Sequence, residues 1–240
     1  MDVVRLSGVV KRFDRRYGAP TAQEHHTSGR QPGVDVALDG VDLVIEAGEA
    51  VGVLGPRRSG RTSLLSVISG IYRPDEGTVA VRGRAGGLVH MSAGFSPSSS
   101  VSSNVRLNGL LMGLTIEQIH DRLEQVLADA GVPAGLLPFP LRDLPAPRRQ
   151  RLAYLLAMRS DPDVFLADKT IVTGDAAFRE QGLTAIEAHR DAGRAVVLAT
   201  NDGRILRRLC SRGVVLRQGR LVFDGRLRKA LQAHRETPNE

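Results

Sequence analysis

An α/β nucleotide-binding fold is what the 240-residue sequence predicts, on three observations. A strand-like run, AVGVLG (50–55), passes through a glycine-rich turn into a segment from Thr62 to Ile71, where Leu64, Leu65, Ile68 and Ile71 recur at helical spacing. Two more short apolar runs, Val164 to Ala167 and Ala195 to Thr200, read as buried strands separated by a helical pattern from Ala176 to Gly193, the alternation of an α/β unit. Hydrophobic residues make up 42% of the chain, enough for a core and too many for wholesale disorder.

The remaining elements follow in order. Residues 3 to 10 (VVRLSGVV) read as a strand, and VALDGVDLVIEAGE adds another before the glycine-rich turn. Between them, 14 to 35 is polar, rich in Gly, Pro, Thr and Ser and without periodicity, so a flexible loop or hairpin tip is expected. His25 and His26 adjoin there, but no third ligand is near, which favours a solvated loop over a metal site. After the first helix the chain breaks at Pro74 to Gly77 and returns in strands around Val79 to Val81 and Gly87 to Met91. From Asn104 to about Met158 the pattern is helical, with Thr115 placed to cap a helix that stops near Gly131. A hairpin (212–225) precedes a C-terminal helix, with a polar tail at 232–240.

Composition excludes several functions. No apolar run approaches the roughly 18 to 20 uncharged residues of a membrane span, and the N-terminal residues lack the apolar core of a signal peptide, so a cytosolic chain is expected. One cysteine, Cys210, cannot build a disulfide framework or a multi-cysteine zinc site. The net charge is +7, and all of the 33 basic residues except Lys11, Lys169 and Lys229 are arginines. They are dispersed, and aromatics amount to only 4%, which argues against a nucleic-acid partner. Coding bias, an anionic membrane surface and an acidic partner each account for that excess.

The chemistry concentrates in GPRRSGRTSLL (55–65), which has the spacing of a phosphate loop, G-x-x-x-x-G-K-[ST], with Arg61 at the lysine position. Consecutive backbone N–H groups leading into a helix N-terminus cradle phosphates; the lysine reaches the β and γ oxygens and the Ser/Thr hydroxyl holds magnesium. Gly55, Gly60 and Thr62 keep that pattern, and Ser59 and Ser63 flank it.

From about Val3 to Leu231 the order of elements resembles the nucleotide-binding subunit of ABC transporters. The resemblance is carried by the loop at 55–65, by ISGIYRPDEGTVAVRG (68–83), by AGFSPSSSVSSNV (93–105) and by TIVTGDAAFREQG (170–182). The last two stretches are similar to those of capsular-polysaccharide, O-antigen and teichoic-acid export ATPases. The resemblance implies a P-loop NTPase domain of ABC type over 1–231, with an N-terminal antiparallel β subdomain and an inserted helical subdomain near 98–160. It also implies ATP and Mg²⁺, an adenine-stacking role for Phe13, a phosphate site at Gly55, Ser59, Gly60, Arg61, Thr62 and Ser63, and Mg²⁺ on Thr62 and Asp168.

Against the resembled pattern, the departures fall on the reacting parts. Arg61 replaces the loop lysine and Arg58 a glycine, Ser96 replaces the glutamine that joins magnesium, and Lys169 replaces the general-base glutamate. Asn201 stands at the switch histidine, and LPAPRRQRL (144–152) puts Pro145, Ala146, Pro147 and Arg148 where the signature loop belongs. Arginine is a planar fork and not a compact point charge. Arg58 and Arg61 therefore either reshape the cradle or turn to solvent. An ammonium at Lys169 cannot take a proton from water, and a lost base costs roughly 10² to 10⁴ in rate; placed otherwise, it supplies the missing phosphate-binding charge. The prolines lack the N–H donors that the signature loop offers across a dimer. Two readings result. One is an ATPase-deficient subunit of a polysaccharide exporter, peripheral on the cytoplasmic face of the inner membrane, docked on a permease and paired with itself or an intact ATPase. The other is a regulatory or interaction protein that keeps only the fold. In either, ATP binds weakly or not at all.

Overall fold

The computed structural model describes residues 1–14, 33–89, 94–168 and 176–236. His25, His26, Met91 and Lys169 lie outside the described residues, as does most of the loop expected at 14–35. The chain divides into two compact units, Met1–Arg82 with Val197–Glu240, and Gly83–Val196.

In the first unit, strands β1 (Asp2–Asp14), β2 (Val34–Glu46) and β4 (Glu76–Val81) form an antiparallel sheet in the order β2-β1-β4. Arg5 pairs with Val44 on one side and Ala80 on the other. Val4, Leu6, Val41, Leu43 and Ile45 are its buried face. Strand β3 (Ala50–Leu54) is buried along its whole length, as the unbroken apolar run requires of a strand covered on both faces. It runs parallel to β8 (Arg212–Arg217), which turns back antiparallel into β9 (Arg220–Arg226). On the far side of β3 lies β7 (Ala195–Ala199), of which the residues from Val197 onward belong to this unit. Helices α1 (Arg61–Ile68), α6 (Gly203–Leu209) and α7 (Leu227–Glu236) complete the unit. Arg212 fastens it, donating to both carboxylate oxygens of Asp224 at 2.6 and 2.5 Å, to Glu49 at 2.9 Å and to the carbonyl of Val44 at 3.0 Å.

The second unit pairs β5 (Ala85–Leu88) in parallel with β6 (Val164–Asp168), beside helices α2 (Val101–Leu111), α3 (Ile116–Ala130), α4 (Ala146–Met158) and α5 (Ala176–Asp191). The Arg84 guanidinium reaches the carbonyls of Met112, Ser160 and Asp161 and so ties β5 to the helix ends. Helix α3 has the cap its sequence predicts. Thr115 Oγ1 accepts from the Gln118 N–H at 3.2 Å, Gln118 Oε1 accepts from the Thr115 N–H at 3.0 Å, and Gly131 closes the other end at φ 66°.

Several expected boundaries move. Asp14, Val34 and Asp35, read as loop, are strand residues, because the β1–β2 ladder continues through Phe13↔Asp35 and Asp14↔Val34. The first helix ends at Ile68, and Ile71, read as part of its apolar stripe, is half exposed beyond it. Strand β4 starts at Glu76, inside the expected break, and β5 occupies 85–88 rather than starting at Gly87. The helical stretch begins at Val101, not Asn104. Helix α7 extends to Glu236, into the stretch read as a polar tail.

Candidate functional site

The backbone at Gly55–Arg61 joins the end of β3 to the start of α1, and its two pattern glycines are there for space. A Cβ at Gly55 (φ 156°) would collide with the Leu216 carbonyl and Ser59 Oγ, and one at Gly60 (φ 100°) with the Ala37 carbonyl. Ser59 donates its N–H to Pro56 O at 3.3 Å and accepts from the Gly219 N–H at 3.1 Å, while Gly219 O accepts from the Asp39 N–H at 2.9 Å. The loop is thus braced by the turn between β8 and β9. Ser59 Oγ is buried with no hydrogen-bond partner. A glycine-shaped cradle with an orphaned hydroxyl and a helix start beside it fits a bound phosphate. Thr62 is exposed and Ser63 half-buried in the first turn of α1, which carries no acidic residue to compete for that end.

The two arginines of this loop part company. Arg58 is exposed and sits at φ 63°, in the left-handed region where a side chain costs about 1–2 kcal/mol. Arg61 is 6% exposed. It turns inward and donates from Nη1 to Asn201 Oδ1 at 2.8 Å. The same amide grips the head of the loop: Asn201 Nδ2 donates to Gly55 O at 2.9 Å, and the Gly55 N–H donates to Oδ1 at 3.3 Å. Because both N–H groups can only donate, the orientation of the amide is fixed by its partners. Asn201 is placed by the end of β7 and by Asp202, which caps α6 through the Arg204 N–H at 2.8 Å. The charges of Arg61, Arg217 and Arg235 face His234 on α7, and burial together with those charges holds its imidazole below the usual histidine range. The loop's surroundings are strongly positive.

Phe13, next to last in β1, pairs with Asp35, two residues from the Ala37 carbonyl that abuts Gly60. Its ring meets Tyr72 edge-on with centroids 5.2 Å apart, and Lys11 Nζ lies 5.5 Å from its centroid. Among the residues read from the sequence, the first unit therefore gathers Gly55, Ser59, Gly60, Arg61 and Asn201. Thr62 and Ser63 follow on the same helix.

Ser96 and Asp168 belong to the second unit. Asp168, half-buried, ends β6. Ser96 begins a hydrogen-bonded loop. Its N–H donates to Asn104 Oδ1 at 2.7 Å, and Asn104 Nδ2 serves the carbonyls of Ser96, Ser99 and Ser100 at 2.9–3.1 Å. The Leu141 and Arg142 N–H groups close it from the other side on Ser99 O and Pro97 O, each at 2.9 Å. In the stretch aligned with the signature loop, Pro145 occupies the cap of α4 and Pro147 its first turn, and the Pro145 carbonyl accepts from Arg148 and Arg149. No cluster of three or more metal-ligating side chains occurs among the described residues.

Sequence reasoning missed the pairing of Arg61 with Asn201. Its signal was that both depart from the resembled pattern at positions serving the same phosphate. It also missed Asn104 and Asn108, whose four-residue spacing on a helix puts two amides on one side; Asn108 Nδ2 donates to Gly94 O at 3.2 Å.

Comparison with known proteins agrees with this geometry. A family model described as "ABC transporter" matches residues 38–172, more than half of the chain. ABC transporter protein AbcA of Aeromonas salmonicida is 29% identical over 93% of this chain and 72% of its own length. The O-antigen export system ATP-binding protein RfbB of Myxococcus xanthus is 29% identical over 88% of the chain, and the teichoic acids export ATP-binding protein TagH of Lactiplantibacillus plantarum 27% over 83%. The chain spans about half the length of those two, 50% and 54%. The fold matches that of the ATP-binding cassette MJ0796, solved as a dimer bound to ADP and Pi, with a TM-score of 0.71, 22% identity and coverage of 93% and 98% of the two chains.

Proposed function

The chain belongs to the ABC transporter family, and from that membership we propose that it is the ATP-binding-type subunit of an exporter of capsular or other cell-surface polysaccharide, with little or no ATP hydrolysis. It docks on a membrane permease at the cytoplasmic face of the inner membrane, as a homodimer or beside an intact ATPase. The export assignment is supported by the names of the O-antigen and teichoic-acid relatives. Among the described residues, no helix is long and apolar enough to cross a membrane.

The observation that carries the loss of hydrolysis is the buried Arg61 guanidinium held on Asn201, which spends both groups on the loop itself. A neutral amide at the switch position neither gives nor takes a proton near neutral pH, and Lys169 in the sequence cannot act as a base. Pro145 and Pro147 remove two N–H donors from the start of α4, so a dimer with itself or with an intact partner lacks a complete composite site. The cradle of Gly55, Ser59 and Gly60 still suits a phosphate chain, Phe13 is the aromatic at the adenine position, and the family pattern assigns Mg²⁺ to Thr62 and Asp168. Any bound ATP is held weakly.

Phosphate release by the purified protein tests this reading. Turnover at the level of a no-enzyme blank is expected, and it stays there in Lys169→Glu because the missing groups act as a unit. Magnesium-dependent release abolished by Asp168→Asn would overturn it. For docking, co-purification with a permease encoded alongside is expected to weaken when 96–103 is replaced by a Gly/Ser linker of equal length.

A further inference from the structure

We infer that Asn201 is a positioning residue that keeps the phosphate loop latched, and that nucleotide enters only as this latch opens. The inference rests on the reading that residues 55–62 form the nucleotide site. Three contacts converge on one amide: Oδ1 receives the Gly55 N–H and Arg61 Nη1, and Nδ2 holds the Gly55 carbonyl. Gly55 heads the cradle and Arg61 stands at its basic position, so the latch occupies two donors that a phosphate would use. A phosphate oxygen is anionic and accepts more strongly than a neutral amide oxygen, so it competes for both donors. The contest is open because the Asn201 side chain is exposed, so water can follow it to the buried Gly55 and Arg61 donors as it turns away. Binding then carries the free energy of opening, and the apparent affinity falls by the fraction of molecules that are open.

The pairing reverses the usual expectation for a polar contact at a binding site: removing Asn201 helps. Titration of a fluorescent ATP analogue into wild type, Asn201→Ala and Asn201→Ser, each checked for folding by thermal melting, should show binding about 10-fold tighter in both variants, as the release of two modest hydrogen bonds allows. In an Arg61→Lys background the gain from Asn201→Ala should shrink to about 2-fold, because the second donor is already free of the latch. Hydrogen exchange at the Gly55 amide should quicken in Asn201→Ala. Folded Asn201 variants that bind no better than wild type, including no binding by any of them, overturn the latch. Phosphate release by wild type would defeat the non-hydrolytic reading and leave the affinity ratio to judge the latch; equal affinities would defeat the latch and leave that reading in place.

Discussion

Asn104 and Asn201 do the same work in two loops under opposite conditions. Each uses one amide to accept a backbone N–H and to donate to a carbonyl of the loop it holds. Asn104 is 1% exposed, so the Ser96, Ser99 and Ser100 carbonyls find no ready substitute if it leaves. Asn201 is exposed, so its departure opens the buried Gly55 and Arg61 groups to water. A hydrogen bond contributes about 1 kcal/mol when it trades with water, and its loss costs about 1–3 kcal/mol when the abandoned group stays dry. The same chemistry therefore makes a fixed brace in one unit and a releasable contact in the other.

The largest test of that contrast is Asn104→Ala, which should cost about 3 kcal/mol, read as a lowered denaturation midpoint. A cost below about 1 kcal/mol would show that Leu141 and Arg142 alone hold the loop. Tyr154 calibrates what an abandoned buried group costs: its hydroxyl is buried with no partner, and burial pushes its pKa up to about 12 from 10.0. Tyr154→Phe should stabilise by about 1–2 kcal/mol. The folded chain keeps that proton to about pH 12 while the unfolded chain gives it up near 10, so wild-type stability should fall across that interval and the Phe variant should lose that part of the slope. On the phosphate loop, Arg58→Gly should gain about 0.5–1 kcal/mol, the relief of φ 63° less the entropy of glycine. The smallest effect belongs to Asn201→Ala, within about 0.5 kcal/mol of wild type by the same measurement. A loss as large as that of Asn104→Ala would erase the distinction between brace and latch.

How far the sequence reaches follows from the range over which each feature is decided. The α3 cap was readable because Thr115 and Gln118 act within one turn. The bend of the phosphate loop was readable because Gly55 and Gly60 are required where they stand by the carbonyls of Leu216 and Ala37. The direction of Arg61 was not, since a long side chain at a known position still chooses its partner in three dimensions, and that partner lies 140 residues away. The bracing of the serine loop was out of reach for a related reason: its holders are an asparagine inside the next helix and two backbone N–H groups from 141 and 142. Helix α6, seven residues long, is too short to show a period and went unread.

The brace beneath the phosphate loop also sets an order of events during synthesis. Ser59 O waits for the Gly219 N–H, 160 residues later, and Val53 and Leu54 wait for Val214 and Val215. At about 5–20 residues per second, a ribosome takes roughly 8–30 s to supply them. Throughout that interval β3 lacks its neighbour on one side and the loop lacks its floor, although every residue of its motif has already been made. The nascent chain thus carries a complete phosphate-loop motif that does not yet form a phosphate site, and a stop before residue 219 would leave it so.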